Sequence, residues 1–246
     1  MSYRIPFNKP FIVGRELHYM AEAVSAGQIG GAGRFVQACE GLMEKRFGAE
    51  RVLLTTSCTS ALEMAAILCN LEPGDEVILP SYTFVSTANA FLLQGAKLVF
   101  VDIRPDTLNL DESHMDSAIT DRTRVIVPVH YAGVPAEMNA VNRIAGQRGL
   151  MVVEDAAQGV NARYHDAYQG TMGDFGCYSF HETKNFTCGE GGALVVRNPD
   201  HIQRAEYIRQ DGTNRHEFLH GMVECDEWMD LGASYLLPEL LAAFLY

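Results

Sequence analysis

Short apolar runs alternate with longer segments of mixed polarity between residues 51 and 155. The apolar runs are predicted strands: RVLLT 51–55, VILP 77–80, KLVFVD 97–102, RVIVPVH 124–130 and LMVVED 150–155. The segments between them have helical composition, and the predicted helices lie in 57–69, 87–95, 111–119 and 136–149. Nearly continuous apolar strands separated by helices are typical of a parallel sheet buried on both faces. The pattern therefore predicts an α/β fold with ligands at the carboxyl ends of the strands.

The alternation changes after residue 155. We predict strands at GCYSF 176–180 and GGALVV 191–196, and a helix at HIQRAEYIRQ 201–210. Residues 211–233 are polar and predicted to be irregular. The closing stretch SYLLPELLAAFLY 234–246 begins an apolar helix and has no stop signal. We expect this helix to expose apolar surface that a partner would cover, with a homodimer as the simplest solution.

Composition narrows the class of protein. The 246 residues are 48% hydrophobic and 20% charged, as in an ordinary globular protein, and the formal net charge is −12. The negative charge argues against nucleic acid or an anionic membrane as the main partner. The start MSYRIPFNKPFIVG does not resemble a signal peptide, and no apolar run is long enough to span a membrane. Six cysteines without a C-x-x-C pair indicate reduced thiols and a cytoplasmic protein.

The segment TTSCTSA 55–61 lies between a predicted strand and a predicted helix. Small hydroxyl residues at a helix start are typical of an anion site, because unpaired N–H groups and the helix dipole both attract negative charge. The same residues also serve as an ordinary helix cap. The segment alone leaves both interpretations open.

Two more strand ends carry polar residues. In VVEDAAQG, Asp155 closes an apolar strand and either caps a following helix or faces a ligand, and Gln158 follows one turn later. Lys184 lies four residues beyond the apolar end Phe180, before a glycine-rich run. It is either a surface lysine or an amine that attaches an aldehyde cofactor as a Schiff base. A phosphate cradle, a carboxylate for a pyridinium nitrogen and such a lysine together form the minimum set for pyridoxal 5'-phosphate.

Several stretches resemble sugar aminotransferases of the DegT/DnrJ/EryC1/StrS family. They are PSYTFVSTANAF, VPVHYAG, VVEDAAQG, SFHETKN and GEGGA. The resemblance is closest to members that make dTDP-4-amino-4,6-dideoxygalactose for enterobacterial common antigen. It implies the type I fold of pyridoxal phosphate enzymes, with a large domain over residues 1–246 and an N-terminal arm over about residues 1–30. It also implies amino transfer from glutamate to a nucleotide-linked keto sugar, in a homodimer.

The family resemblance assigns roles residue by residue. Lys184 matches the lysine that attaches the cofactor, and dehydratases of the group carry a histidine there. Asp155 matches the partner of the pyridine nitrogen, and Gln158 lies near the phenolic oxygen. The other matches are Phe84 stacked on the ring, Ser179 with Cys58 and Thr59 at the phosphate, and His181 near the substrate.

Two features depart from the family pattern. Where many members have G-x-N-Y-R, this chain has GASYL 232–236, so Ser234 replaces the asparagine that reaches the partner subunit's cofactor phosphate. A serine donates one hydrogen bond but reaches less far. The sequence also ends in the helix that leads to the smaller C-terminal domain of the family. We therefore expect that domain to be largely absent, which leaves a non-catalytic, cofactor-binding fragment as an alternative function.

HEFLH 216–220 matches the H-E-x-x-H pattern of zinc peptidases. That pattern requires a helix presenting both histidines to one metal, and a third ligand. Residues 211–221 are polar, flanked by glycines and without a long apolar stripe. We therefore predict no metal site, and a zinc metallopeptidase is only a remote alternative.

Overall fold

The computed structural model describes residues 5–6 and 8–246, and in this part of the chain the predicted strands form one sheet. Residues 1–4 and 7, which belong to the predicted N-terminal arm and to the start judged not to be a signal peptide, lie outside the described residues. The strands, in chain order, are β1 (Arg51–Thr55), β2 (Glu76–Pro80), β3 (Lys97–Val101), β4 (Thr123–Ile126), β5 (Met151–Asp155), β6 (Arg163–Tyr164), β7 (Ala167–Tyr168), β8 (Phe175–Ser179) and β9 (Gly192–Val196).

The main sheet has the order β1-β9-β8-β5-β4-β2-β3, while β6 and β7 form a separate hairpin. Neighbouring strands from β8 to β3 are parallel, and β9 is antiparallel to both β8 and β1. All strands of the main sheet except β9 therefore point the same way, and β9 begins at the edge where the others end. The predicted α/β fold with a mainly parallel sheet is confirmed.

Helices cover both faces of the sheet. The α-helices of the described residues are α1 (Glu16–Ser25), α2 (Arg34–Phe47), α3 (Cys58–Leu68), α4 (Val85–Leu92), α5 (Met115–Ala118), α6 (Met138–Arg148), α7 (Ile202–Arg209), α8 (Arg215–Leu219) and α9 (Glu239–Leu245). Alternate strand residues point to opposite faces, so Leu53 of β1 packs with α3 and α7, whereas Val52 and Leu54 pack with α2 and α9. A third core joins β2 and β4 to α5 and α6.

Some sequence predictions differ from the structure. Strand β4 ends at Ile126 rather than at residue 130, because Pro128 has no N–H for a ladder, although the chain continues beside β5. The predicted helix in 111–119 is a 3-10 turn followed by the single turn α5. We predicted neither α1, which falls in the expected N-terminal arm, nor α2, nor the β6–β7 hairpin. Within the described residues, no helix has the length and apolar character needed to cross a membrane.

The closing helix exposes less apolar surface than expected. Helix α9 packs on α1 and α2, where Leu237, Ala242 and Ala243 are buried. The Glu239 carboxylate at its start accepts hydrogen bonds from the backbone N–H groups of Phe35 and Val36, in the first turn of α2. The helix start thus caps another helix, and intrachain packing covers its apolar face.

A buried glutamate anchors the carboxyl edge of the sheet. Glu154 of β5 is fully buried, and its carboxylate accepts hydrogen bonds from the backbone N–H groups of Gly170 at 2.8 Å and of Met172 and Gly173 at 2.6 Å. The N–H of Ala136 donates to His130 Nδ1, so the ring proton lies on Nε2 and donates to Glu154 at 2.8 Å. One carboxylate thereby joins the strand to the 170–173 turn and to the segment after β4.

We expect Glu154→Ala to lower the free energy of unfolding by about 3 kcal/mol or more, because four buried donors lose their acceptor. Urea unfolding followed by circular dichroism measures this change. Glu50→Ala is the control, since Glu50 is exposed. Equal midpoints for the two variants would show that the Glu154 interactions contribute little.

Candidate active site

A cavity of about 590 Å³ opens at the carboxyl edge of the sheet. Residues that follow β1, β2, β4, β5 and β8 line it, as expected for a parallel sheet. Its walls include eight of the nine predicted site residues: Cys58, Thr59, Phe84, Asp155, Gln158, Ser179, His181 and Lys184. The fold therefore brings together residues that lie more than 120 positions apart in the sequence.

The start of α3 forms one end of the cavity. Ser57 is the N-cap, and its hydroxyl accepts the hydrogen bond from the Ser60 N–H at 3.1 Å. The N–H groups of Cys58 and Thr59 belong to the first turn, where a helix supplies no acceptor. Both the cap and the anion interpretation of this segment fit the structure, because the capped N–H and these N–H groups belong to different residues.

A glycine lets β9 approach this helix start. A Cβ atom on Gly192 would lie 2.3 Å from the carbonyl carbon of Ser57 and 2.4 Å from the nitrogen of Cys58. Only glycine fits there without moving backbone. Ser179, which pairs with Gly192 across the ladder, consequently lies beside the first turn of α3. The arrangement is a compact pocket of backbone N–H groups and hydroxyls, suited to a phosphate.

Asp155 lies at the end of β5 and is only 5% exposed. Its Oδ2 accepts a hydrogen bond from the Thr87 hydroxyl at 2.6 Å, and its Oδ1 accepts one from the Ala157 N–H at 3.1 Å. The helix-cap interpretation of Asp155 is wrong, because turns rather than a helix follow β5. The carboxylate instead faces the cavity as a buried negative charge.

Lys184 follows β8 in a short loop. Its backbone N–H donates to the carbonyl of His181 at 2.9 Å, which turns the chain back toward the cavity. The side chain is half-buried and lines the wall, so Lys184 is not an ordinary surface lysine. Among the residues that the structure describes, its Nζ makes neither a hydrogen bond nor an ion pair. The amine is thus available to a ligand.

His181 lies beside the lysine in a defined orientation. Its Nδ1 accepts the Thr183 N–H at 3.2 Å, so the proton of the neutral ring lies on Nε2. That nitrogen faces the Glu190 carboxylate at 3.5 Å. Both residues line the cavity. The pair places a proton donor and a carboxylate next to Lys184.

The remaining walls are aromatic and amide groups. Phe84 is 73% exposed at the start of α4, where its ring is available to a planar ligand. The rings of Tyr82 and Tyr131 lie 4.6 Å apart, and their hydroxyls are hydrogen-bonded at 3.0 Å. Gln158 accepts the N–H of Ala132 through its side-chain oxygen.

The cavity also includes residues that the sequence analysis quoted only within longer motifs, without a role of their own. They are Ser57, Tyr82, Thr83, Ser86, Thr87, His130, Tyr131 and Glu190, with others of the same loops. The hydroxyl-rich stretch TFVST after β2 was the available signal, although its members resemble ordinary helix-start residues. Burial and, secondarily, the Asp155 charge raise the pKa of the Cys58 thiol well above the usual value.

Two predicted features lie outside the cavity. Ser234 is exposed, and its contact with a partner's cofactor stays a prediction. HEFLH lies partly in the five-residue helix α8, which corrects the prediction that 211–233 is wholly irregular. Glu217 accepts hydrogen bonds from Gln203 and Tyr207. Within the described residues, no cluster of three or more His, Cys, Asp or Glu side chains is arranged to hold a metal ion.

Comparisons with known proteins agree with this geometry. Residues 10–246 match the model of the DegT/DnrJ/EryC1/StrS aminotransferase family. An uncharacterized protein of Methanocaldococcus jannaschii is 40% identical over 176 residues, which are 72% of this chain and 46% of that protein. The chain therefore spans about half the length of this curated relative.

Solved structures with similar folds are also longer. Spr1654 from Streptococcus pneumoniae, solved in apo, PMP and PLP forms, is 25% identical with a TM-score of 0.90 over 99% of this chain and 65% of its own. Helicobacter pylori PseC, an aminotransferase involved in the biosynthesis of pseudoaminic acid, is 25% identical with a TM-score of 0.90 over 98% of this chain and 64% of its own. The chain belongs to the DegT/DnrJ/EryC1/StrS aminotransferase family.

Proposed function

We propose that this chain binds pyridoxal 5'-phosphate and transfers an amino group from glutamate to a nucleotide-linked keto sugar in a ping-pong cycle. The observation that carries the proposal is the convergence of Lys184, Asp155 and the first turn of α3 on one cavity. These groups supply an amine, a buried carboxylate and an anion pocket. A phosphorylated pyridine aldehyde requires all three.

The residues present fit that cofactor. The close approach at Gly192 brings Ser179 beside the first turn of α3, so the N–H groups of this turn and Ser179 would hold the phosphate together. Asp155 would hold the ring nitrogen, Phe84 would cover one face of the ring, and Gln158 would approach the phenolic oxygen. When bound, the cofactor supplies an electrophilic carbon and an electron sink.

Side chains of this protein would provide the nucleophile, the general base and the hydrogen bonds to cofactor and substrate. The Lys184 amine acts as nucleophile and then carries protons as general base. Asp155 keeps a negative charge in a buried place and so favours a protonated partner. We assign to His181, which lines the cavity beside Lys184, the donation of its Nε2–H to a substrate oxygen.

The proposed acceptor is dTDP-4-dehydro-6-deoxy-D-glucose, used for cell-surface polysaccharide such as enterobacterial common antigen or lipopolysaccharide. The motifs PSYTFVSTANAF and SFHETKN support this choice. Purified protein is assayed with this sugar nucleotide and glutamate, and 2-oxoglutarate is measured. Formation of the amino sugar supports the proposal, whereas no turnover with bound cofactor favours the second candidate, a cofactor-binding chain without activity.

We expect Lys184→Ala to abolish covalent attachment of pyridoxal phosphate. In the described part of the chain, no other lysine lines the cavity. Borohydride reduction followed by peptide mass spectrometry locates the attachment. Lys45→Ala is the control, because Lys45 is exposed on α2. A reducible adduct retained in the Lys184 variant would place the attachment elsewhere.

We expect Asp155→Asn to retain the cofactor but lose turnover severely. An amide carries no negative charge to support a protonated ring, and a charge-assisted hydrogen bond is worth about 1.5–3 kcal/mol. Single-turnover kinetics with glutamate measures the loss. Asp102→Asn is the matched control, since Asp102 follows β3 at the same sheet edge but is exposed. Comparable rates in both variants would remove Asp155 from the mechanism.

We further propose a homodimer and a cytoplasmic location. Exposed apolar residues lie on α4, at its C-cap and on β3: Val85 at 63%, Leu93 at 69% and Phe100 at 56% exposure. Patches of this kind commonly mark interfaces.

We expect light scattering at micromolar concentration to report a dimer, and Leu93→Glu to shift it toward monomer. Leu42→Glu, on the exposed side of α2, is the control. A monomeric wild-type protein would exclude the dimer and the proposed contact of Ser234 with a partner's cofactor.

A further inference from the structure

Two threonines form a hydroxyl chain that ends on Asp155. The Thr83 and Thr87 hydroxyl oxygens lie 2.8 Å apart, and Thr87 Oγ1 lies 2.6 Å from Asp155 Oδ2. Both threonines line the cavity, and Thr87 is fully buried. These hydrogen bonds connect the start of α4 with the end of β5.

The direction of the hydrogen bonds follows from the donor inventory. An ionised carboxylate only accepts, so the single hydroxyl proton of Thr87 is donated to Asp155. Thr87 then has only acceptor capacity left toward its neighbour. The Thr83 hydroxyl must therefore donate to Thr87, which fixes the rotation of the Thr87 hydroxyl.

The two oxygens of Asp155 are held from different elements. Oδ1 accepts the Ala157 N–H from the turn after β5, and Oδ2 accepts the Thr87 hydroxyl from α4. Donors on both oxygens prevent the carboxylate from rotating and compensate its negative charge in a place that is 95% shielded from water. Without Thr87, Oδ2 would lose the donor from α4.

We propose that Thr87 is a positioning residue for Asp155, and that Thr83 orients Thr87. Through the fixed, charged carboxylate, the pair makes the site prefer a ligand whose ring nitrogen is protonated. The inference rests on the proposed cofactor and goes beyond it. It assigns the recognition of the ring nitrogen to the hydroxyl chain together with Asp155.

The test compares two ligands that differ only at the ring nitrogen. Equilibrium binding of pyridoxal phosphate and of its analogue with carbon in place of that nitrogen is measured by fluorescence, without substrate. The ratio of the two dissociation constants reports on the nitrogen alone, because both ligands share the aldehyde and the phosphate. We expect Thr87→Val, which keeps the shape but removes the hydroxyl, to reduce this preference about tenfold.

Controls separate positioning from folding. Thr87→Ser restores a hydroxyl and is expected to keep most of the preference. Thr83→Val is expected to cause a smaller loss of this preference. It tests the hydroxyl chain even where Thr87→Val folds poorly. Thr123→Val is the matched control: Thr123 is also a buried threonine, but it begins β4 at the opposite sheet edge.

The outcomes of this test distinguish a failure of the proposed function from a failure of the proposed role of Thr87. A wild-type protein that binds neither ligand would overturn the proposed function together with this inference. A wild-type protein that prefers the nitrogen-containing ligand, with Thr87→Val weakening both ligands equally, would overturn the inference alone. A selective loss in Thr87→Val, with recovery in Thr87→Ser, would establish the hydroxyl chain.

Discussion

The site depends on the buried carboxylate of Glu154. Consecutive residues of a strand point to opposite faces, so Glu154 faces the scaffold while its neighbour Asp155 faces the cavity. Glu154 accepts hydrogen bonds from three backbone N–H groups of the 170–173 turn and from the His130 ring. These contacts fix the end of β5 between β4 and β8. Asp155 at the cavity is thus held in place by the contacts of a second carboxylate, which does not line the cavity.

Close backbone approach is the second constraint, and near the cavity it requires glycine at two places on β8 and β9. A Cβ atom on Gly176 of β8 would lie 2.0 Å from the carbonyl oxygen of Gly170, in the turn that Glu154 binds. Gly192 meets the start of α3 in the same way. Both contacts lie on the β8–β9 pair, which carries Ser179. The pocket at the start of α3 and the 170–173 turn are therefore placed by the same two strands.

The sequence predicted the strands of the main sheet well, because buried parallel strands are nearly continuous in apolar residues. It predicted the cavity because strand ends of a parallel sheet converge. It did not predict the environment of Asp155. The residues after β5 form turns rather than a helix, and the Thr87 hydroxyl that binds Asp155 is a tertiary contact 68 positions away. The covered face of α9 was missed for the same reason. Its partners α1 and α2 lie more than 190 residues earlier.

The charges of the cavity explain why the Lys184 amine has no partner within the described residues. The protein carries a net charge of −12, yet in the described part of the chain Lys184 is the one lysine or arginine that lines the cavity. If arginines held the phosphate, they would compete with the amine for Asp155 and Glu190. Backbone N–H groups of a helix start bind an anion without introducing a mobile cation. Because Asp155 is already held by Thr87 and Ala157, it does not require Lys184 as a partner. The amine therefore remains unpaired within the described chain, as nucleophilic attack on an aldehyde requires.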